Sequence, residues 1–220
     1  MNTPIVQLLV LAGIALFLIF RLKNVLGSRE GYEKPPLARN EAPSENARHS
    51  FEVIDGGPDR DIIDHVPENS DAATALAAMK KAEPSFSVTE FLQGARGAYE
   101  MILMGFEKGD IRDLEPFLDE EIYESFAAVV DRRADQGLTV DASFIGIREM
   151  QLVDATFDEG TGEGEVTVRY VADLTYEVRD ADGEVVEGDK KQIKRQKDVW
   201  TYARVMGSDD PNWQLVATGE

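Results

Sequence analysis

Hydrophobic positions follow three successive patterns along the chain. From Met1 to Phe20 no side chain is charged, and Ile5 to Phe20 is aliphatic or aromatic except at Gln7 and Gly13. At a rise of ~1.5 Å per residue, twenty helical residues reach about 30 Å, the hydrocarbon thickness of a bilayer. Arg21, Lys23 and Arg29 follow the stretch and nothing basic precedes it, the reverse of a cleavable signal peptide. Ile5 to Phe20 therefore predicts a single-pass transmembrane helix, with residues 1–29 forming the anchor and its basic flank. The positive-inside bias puts the N-terminus outside and the C-terminal part in the cytoplasm.

Residues 30–85 lose that continuity. They hold six of the nine prolines and 12 acidic against 6 basic residues, with no sustained apolar period. Low hydrophobicity with net charge does not offset the entropy of ordering, so the pattern predicts a flexible acidic linker. Phe51, Val53 and Ile54 form a small apolar island, and Asp71 to Ala82 has helix-forming composition; both suit transient structure, or else a short linear motif or docking helix for a partner. Both histidines, His49 and His65, fall in this stretch and are not expected to act in catalysis.

At Phe86 the pattern becomes periodic. Ser87 and Glu90 have capping-box spacing, with Phe86 and Phe91 at the flanking staple positions. Val88, Phe91, Leu92, Ala95, Tyr99, Ile102, Leu103 and Phe106 then recur at helical spacing, and Gly109 suits the helix end. Asp110 can cap a short helix at about 111–117 that contains Pro116. A longer helix at about 119–135 should bury Ile122, Phe126, Val129 and Val130 and end at Gly137.

Beyond Gly137 the period changes from 3.6 to 2. Val166, Val168, Tyr170, Ala172, Leu174, Tyr176 and Val178 alternate with polar residues and predict the clearest strand. Strands are also predicted at 143–157, at about 190–206 after an Asp182-Gly183 hairpin signal, and around Trp213, Leu215 and Ala217. Helices followed by antiparallel strands predict an α+β domain over 86–220, with helices packed on one face of a sheet.

Composition changes this picture in two ways. The formal net charge is −19, with a sequence pI near 4.5, which disfavours nucleic acid as a partner. Cysteine is absent, which removes thiolate chemistry and Cys-based metal sites. The domain from Phe86 on has no histidine, no Gly-rich phosphate loop and no HExxH or GxSxG motif. No cofactor or metal is expected, and no enzymatic activity. Asp173 reads as an outward residue of an alternating strand. Asp119, Glu120, Glu121 and Glu124 read as acids suited to a helix N-terminus.

One segment opposes the overall charge. Lys190, Lys191, Lys194, Arg195 and Lys197 fall within eight residues. They suit an edge strand protected by lysines. Beside a membrane tether they equally suit contact with anionic phospholipid headgroups or with an acidic protein partner.

The helix segment Phe91-Leu92-Gln93-Gly94-Ala95-Arg96-Gly97-Ala98-Tyr99-Glu100-Met101-Ile102 carries a resemblance. With Gly109-Asp110, Leu114, Phe126, Arg132-Arg133, Trp200 and the closing Trp213-Gln214-Leu215, it resembles the domain of the mitochondrial inner-membrane translocase subunit forty-four. The similarity is greatest to that family's bacterial, membrane-anchored relatives, whose juxtamembrane start Arg21 to Gly27 resembles. It implies helices on a curved antiparallel sheet, a shape like nuclear transport factor two, with an apolar pocket between the layers. It also implies a non-enzymatic scaffold at the inner membrane that touches acidic phospholipid. Gly94 and Ala95 would let the helix approach the sheet, and Arg96 would pair with an acid.

The expectation is thus an inner-membrane-tethered adaptor that binds a protein partner. The alternative is a lipid or small-molecule pocket protein, conceivably an enzyme, with Tyr170, Tyr176, Trp200 and Tyr202 lining the pocket.

Overall fold

Side-chain caps fix where the helices begin. The computed structural model describes residues 59–219, so the predicted anchor, residues 30–58 and His49 lie outside the described residues. Among the described residues no helix is long and apolar enough to cross a membrane. Helix α1 (Arg60–Ile63) starts at Asp59, whose carboxylate accepts from the Asp61 N–H at 3.0 Å. Helix α2 (Asp71–Ala82) starts at Ser70, whose Oγ accepts from the Ala73 N–H at 3.1 Å. Helix α3 (Val88–Lys108) starts at Ser87, as the capping-box spacing predicts, and Gly109 ends it in the left-handed region at φ 76°.

A 3₁₀ helix (Arg112–Phe117) accommodates Pro116, and its start at Ile111 has no side-chain cap, so Asp110 does not take the capping role expected of it. Helix α4 (Glu120–Asp135) is capped by Asp119. It buries only Ile122 fully, while Phe126 and Val130 pack half-buried against the core. Arg133 holds α4 to α3 by donating to the Phe106 carbonyl at 3.3 Å, with its guanidinium 4.7 Å from the Phe106 ring centre.

Five antiparallel strands follow: β1 (Thr139–Phe157), β2 (Glu163–Arg179), β3 (Val185–Gly188), β4 (Lys194–Val205) and β5 (Gln214–Gly219). The order across the sheet is β1-β2-β4-β5, with β3 on the far end of β2. Three irregularities in β1, at Phe144/Gly146, Ile147/Glu149 and Leu152/Asp154, shift its register against β2. Such bulges bend and twist a strand pair, which gives long strands their curvature.

The alternation in β2 faces the helices over Val166, Val168, Tyr170, Ala172 and Leu174, with Thr167, Arg169 and Thr175 more exposed; Tyr176 and Val178 are only half-buried, and Val171, Asp173 and Glu177 of the expected outer face are buried. The stretch after Asp182-Gly183 forms two strands where one is expected. Gly188, at φ 78°, breaks it, since a Cβ there would meet the Tyr176 carbonyl oxygen at 2.4 Å. Asp189 then accepts from the Lys191 N–H at 2.8 Å, so Lys190 and Lys191 sit in a turn and not in a strand.

The folded region begins before Phe86. Ile62, Val66, Ala72, Ala73, Leu76 and Met79 are buried in the same core as β2, so the described part of the expected linker is structural. Met79 packs so close to Gly164 that a Cβ there would lie 3.0 Å from the thioether. The helix-forming composition of this stretch is visible in the sequence, but not that Ala72, Ala73, Leu76 and Met79 form a buried face while Ala77 and Ala82 are exposed.

Asp61 ties this region to α3. Its carboxylate accepts from the backbone N–H groups of Val88 at 2.7 Å and Thr89 at 2.9 Å, and it pairs with Lys80 at 2.7 Å. Burial alone would raise this carboxyl, but Lys80 and the Thr89 and Val88 donors outweigh it and hold the group well below the usual range. A depressed carboxyl stabilises the fold above its unfolded value of about 4 and loses that contribution as pH falls toward the folded value. Asp61→Asn should cost about 1–2 kcal/mol near neutrality by removing the charge. Thermal scans at pH 6.5 and pH 3 should show the gap between wild type and variant narrowing at the lower pH. A gap independent of pH would contradict this assignment.

Candidate functional site

The first turns of α3 lean over β4 and the β4–β5 connection without closing on them. A cleft of about 330 Å³ results. Phe86 and Phe91 line it from the two staple positions, and Gly94, Ala95 and Ala98 line it from the next turns of α3. Tyr202 and Arg204 come from β4, and Pro211, Asn212 and Trp213 from the connection before β5. Helical spacing places 91, 94, 95 and 98 on one face, and the small residues among them leave room for a guest.

Aromatic contacts fix the cleft wall. The Trp213 ring lies 4.7 Å from Phe91, edge-on at 62°, and 5.8 Å from Phe86. Arg204 sits 5.3 Å from the Trp213 ring centre and donates to Glu83 at 2.6 Å. Glu83 also accepts from the Gly207 N–H at 2.8 Å. Arg204 holds the Glu83 carboxyl below its ordinary value against the opposing effect of burial, and the Gly207 donor adds to this. Arg204 and Glu83 are thus paired with each other, although Arg204 Nε is buried without a hydrogen-bond partner among the described residues, and apolar side chains make up most of the rest of the cleft wall.

A column of aromatic side chains lies beneath. Tyr99 stacks on Tyr170 at 4.2 Å and 14°, with Trp200 4.6 Å away. The Tyr99 hydroxyl donates to Asp198 at 2.5 Å. The Tyr170 hydroxyl donates to the Ala95 carbonyl at 3.3 Å and lies 3.0 Å from the Tyr202 hydroxyl. Because Tyr170 has one proton to give, Tyr202 is the donor to Tyr170. Burial raises all three phenols, with Asp198 adding to the rise at Tyr99 and Tyr170 at Tyr202. At neutral pH they are protonated hydrogen-bond donors that fix α3 on the sheet.

Of the four aromatics expected to line a pocket, Tyr202 reaches the cleft, while Tyr170 and Trp200 lie below it in the core. Tyr176 stands apart near the far end of β2. It donates to Glu187 at 2.8 Å under the Lys194 ammonium, and burial followed by the Glu187 charge pushes it up to about 12.

Gly94 does not mediate helix–sheet contact, because the space around its missing Cβ is open. Ala95 faces the sheet instead, buried at 4% exposure. Arg96 is exposed and forms no ion pair with the described residues, contrary to the pairing expected of it. His65 is not in an unstructured segment; its Nε2 lies 3.4 Å from Thr89 Oγ1 at the start of α3.

The five-residue basic strip is divided by the strand geometry. Lys190, in the turn, pairs with Asp141 on β1. Lys194 sits 4.5 Å from the Tyr176 ring centre. Arg195 and Lys197 are on the opposite side of β4, where Arg195 contacts Asp173 at 3.3 Å. Lys191 and Lys197 are exposed. Asp173 is on the predicted outer face yet only 2% exposed, because Arg148 and Arg195 close over it. Its burial would raise the carboxyl, and these two arginines overcome that and hold it low.

Sequence reading missed Glu83, Phe86, Ala98, Arg204 and Trp213 as cleft residues. The staple phenylalanines and the tryptophan at 213 were visible, but only the β4–β5 turn brings Trp213 to them.

Comparison with other proteins adds a lineage. The Tim44-like domain family matches residues 72–220, a region that begins within α2. The mitochondrial import inner membrane translocase subunit TIM44-1 of Arabidopsis thaliana is 22% identical over 195 residues. That similarity covers 84% of this chain and 40% of the plant protein, so the chain spans well under half the length of that relative. Among solved structures, the intermembrane space region of chloroplast protein ARC6 superposes with a TM-score of 0.39 at 13% identity, over 58% of this chain and 94% of that one.

Proposed function

The chain belongs to the Tim44-like domain family, and from that premise we propose that it is a membrane-tethered adaptor whose domain grips an apolar segment of a protein partner. The observation that carries this reading is the cleft between α3 and the β4–β5 connection. Its aromatic wall and small-residue edge accept an apolar side chain, and at its charged end an Arg204 terminal nitrogen donates to Glu83. Burying one Leu or Phe side chain there contributes about 1.5–3 kcal/mol, the scale of an interface anchor. The name of the plant relative places that protein in an import translocase. Handling of polypeptide at a membrane is the matching role here.

In this reading Ile5 to Phe20 is the tether, and three basic residues after it keep the domain on the cytoplasmic side of a bacterial inner membrane. Catalysis has no part in it, and the buried phenols serve to position α3. Lipid contact through the whole strip from Lys190 to Lys197 is disfavoured, since Lys190, Lys194 and Arg195 are engaged within the domain.

A second reading, a bound acyl chain or small molecule, is favoured by the cleft volume of about 330 Å³, which falls within the range of small-molecule sites. Native mass spectrometry of the full chain released from its membrane separates the two. The adaptor reading expects a polypeptide bound at one-to-one stoichiometry. A phospholipid or fatty acid adduct in its place would overturn it in favour of the second.

A further inference from the structure

The sheet face turned away from the helices carries a row of cations. On β2, Arg169, Val171 and Asp173 point to this side, and the register sets Val199, Lys197 and Arg195 of β4 directly opposite them. Arg148, in the irregular part of β1, reaches the same Asp173 carboxylate. Within these three rows stand four cations against two acids, Asp173 and Glu149, and Glu149 pairs in register with Val171. The surrounding protein is strongly acidic, so this local excess of positive charge is a reversal of sign.

The arrangement is ordered. Asp173 is 2% exposed, while the side chains of Arg148 and Arg195 that share it are 53% and 56% exposed. One carboxylate thus holds two guanidinium groups in place without neutralising both. Arg169 and Lys197 are exposed and form no ion pair with the described residues. Along β2 the distance from Arg169 to Asp173 is four residues, about 13 Å, and successive rows lie roughly 6.7 Å apart. An extended peptide repeats its own side chains on one face at that same interval.

We infer that this face is a docking strip for an acidic, extended segment of a partner protein, with carboxylates at every second residue. Arg148 and Arg195 take the first carboxylate, Lys197 the second and Arg169 the third. Planar guanidinium groups suit carboxylates by bidentate pairing. The flanks set the width. Glu177 lies beyond Asp173 on the same side of β2, and Glu165 lies beyond Arg169. A single peptide of about six residues spans these three rows, and its own side-chain interval matches their spacing, a repeat that a fluid lipid surface lacks. The strip is on the opposite face of the sheet from the cleft, so the two proposals stand or fall separately.

The test uses the full chain in detergent and a fluorescent peptide of three alternating Glu-Thr units, read by anisotropy at low and at physiological salt. Arg169→Glu with Lys197→Glu should weaken binding at least tenfold. An equal change of charge elsewhere, Arg96→Glu with Lys191→Glu, should weaken it less than twofold. A peptide of the same composition with its three glutamates contiguous should bind at least threefold more weakly. If the reversed pair lowers the melting temperature, Arg169→Gln with Lys197→Gln replaces it, with an expected loss of threefold or more. Equal losses in both charge-reversed pairs, or equal binding of the contiguous peptide, would overturn the inference. Phosphatidylglycerol vesicles bound in preference to the peptide, and lost on changing Arg169 and Lys197, would overturn it in favour of a membrane. Ala98→Trp, which fills the cleft, should leave peptide binding unchanged.

Discussion

Tyr99→Ala should lower the stability of the domain by about 3–5 kcal/mol, the range for deleting a buried aromatic side chain. Tyr99 is fully buried at 0% exposure and is the hub of the core column, in contact with Tyr170, Trp200 and Phe144. Its removal leaves a cavity under α3 and takes the phenolic donor from Asp198. For a folded region of this size, each 1 kcal/mol corresponds to roughly 2–4 °C in melting temperature, so a fall of about 6–20 °C follows. Tyr99→Phe keeps the ring and should cost only the charge-assisted hydrogen bond, about 1.5–3 kcal/mol. Calorimetry on the three proteins checks the order. A Tyr99→Ala variant within 1 kcal/mol of wild type would show that the column does not hold α3 on the sheet.

Filling the cleft should affect binding far more than stability. Ala98 is half-buried and lines the cleft between the Phe91 wall and the Tyr202 floor. An indole introduced by Ala98→Trp occupies the space meant for the partner's side chain. Loss of one buried anchor of about 1.5–3 kcal/mol predicts at least a tenfold fall in affinity for the polypeptide that accompanies the wild-type chain. The melting temperature should stay within a few degrees, because the side chain enters open space. Gly97→Ala, where the surroundings of the added Cβ are open, is the matched control and should bind as wild type does. Quantitative capture from solubilised membranes compares the three. Undiminished capture by Ala98→Trp would place the partner elsewhere.

Local signals read well in this chain because they are settled by neighbours in sequence. Ser87, Gly109 and Gly137 end or begin helices where spacing predicts, and the alternation in β2 faces the core. The failures share a different cause. The apolar residues of helix α2 are mostly alanines in a Pro-rich, acidic stretch, and it is the burial of Ala72, Ala73, Leu76 and Met79 beside β2 that shows it belongs to the core. The basic cluster at 190–197 looks continuous in sequence. A turn at Asp189 and the two-residue period of β4 distribute it over different sides. Conversely, Arg148, Arg169, Arg195 and Lys197 are up to 49 positions apart yet share a face, because strand register alone decides that. Of the cleft, the sequence shows Tyr202 as a pocket-lining candidate and Phe86 and Phe91 as staple positions; Gly94 and Ala95 read there as contacts to the sheet. The cleft's other half, Arg204 and Trp213, needs the β4–β5 turn.

The adaptor reading rests on what occupies the cleft in the living membrane. A photoreactive phenylalanine analogue placed at Gly94, which lines the cleft with open space at its Cβ position, reports this by irradiating intact cells and identifying the adduct by mass spectrometry. The account predicts a discrete protein crosslink at Gly94 that disappears when Ala98→Trp is added and is absent when the analogue is placed at the exposed position Glu100. Lipid adducts alone, or a protein adduct that persists with the cleft filled, would contradict it.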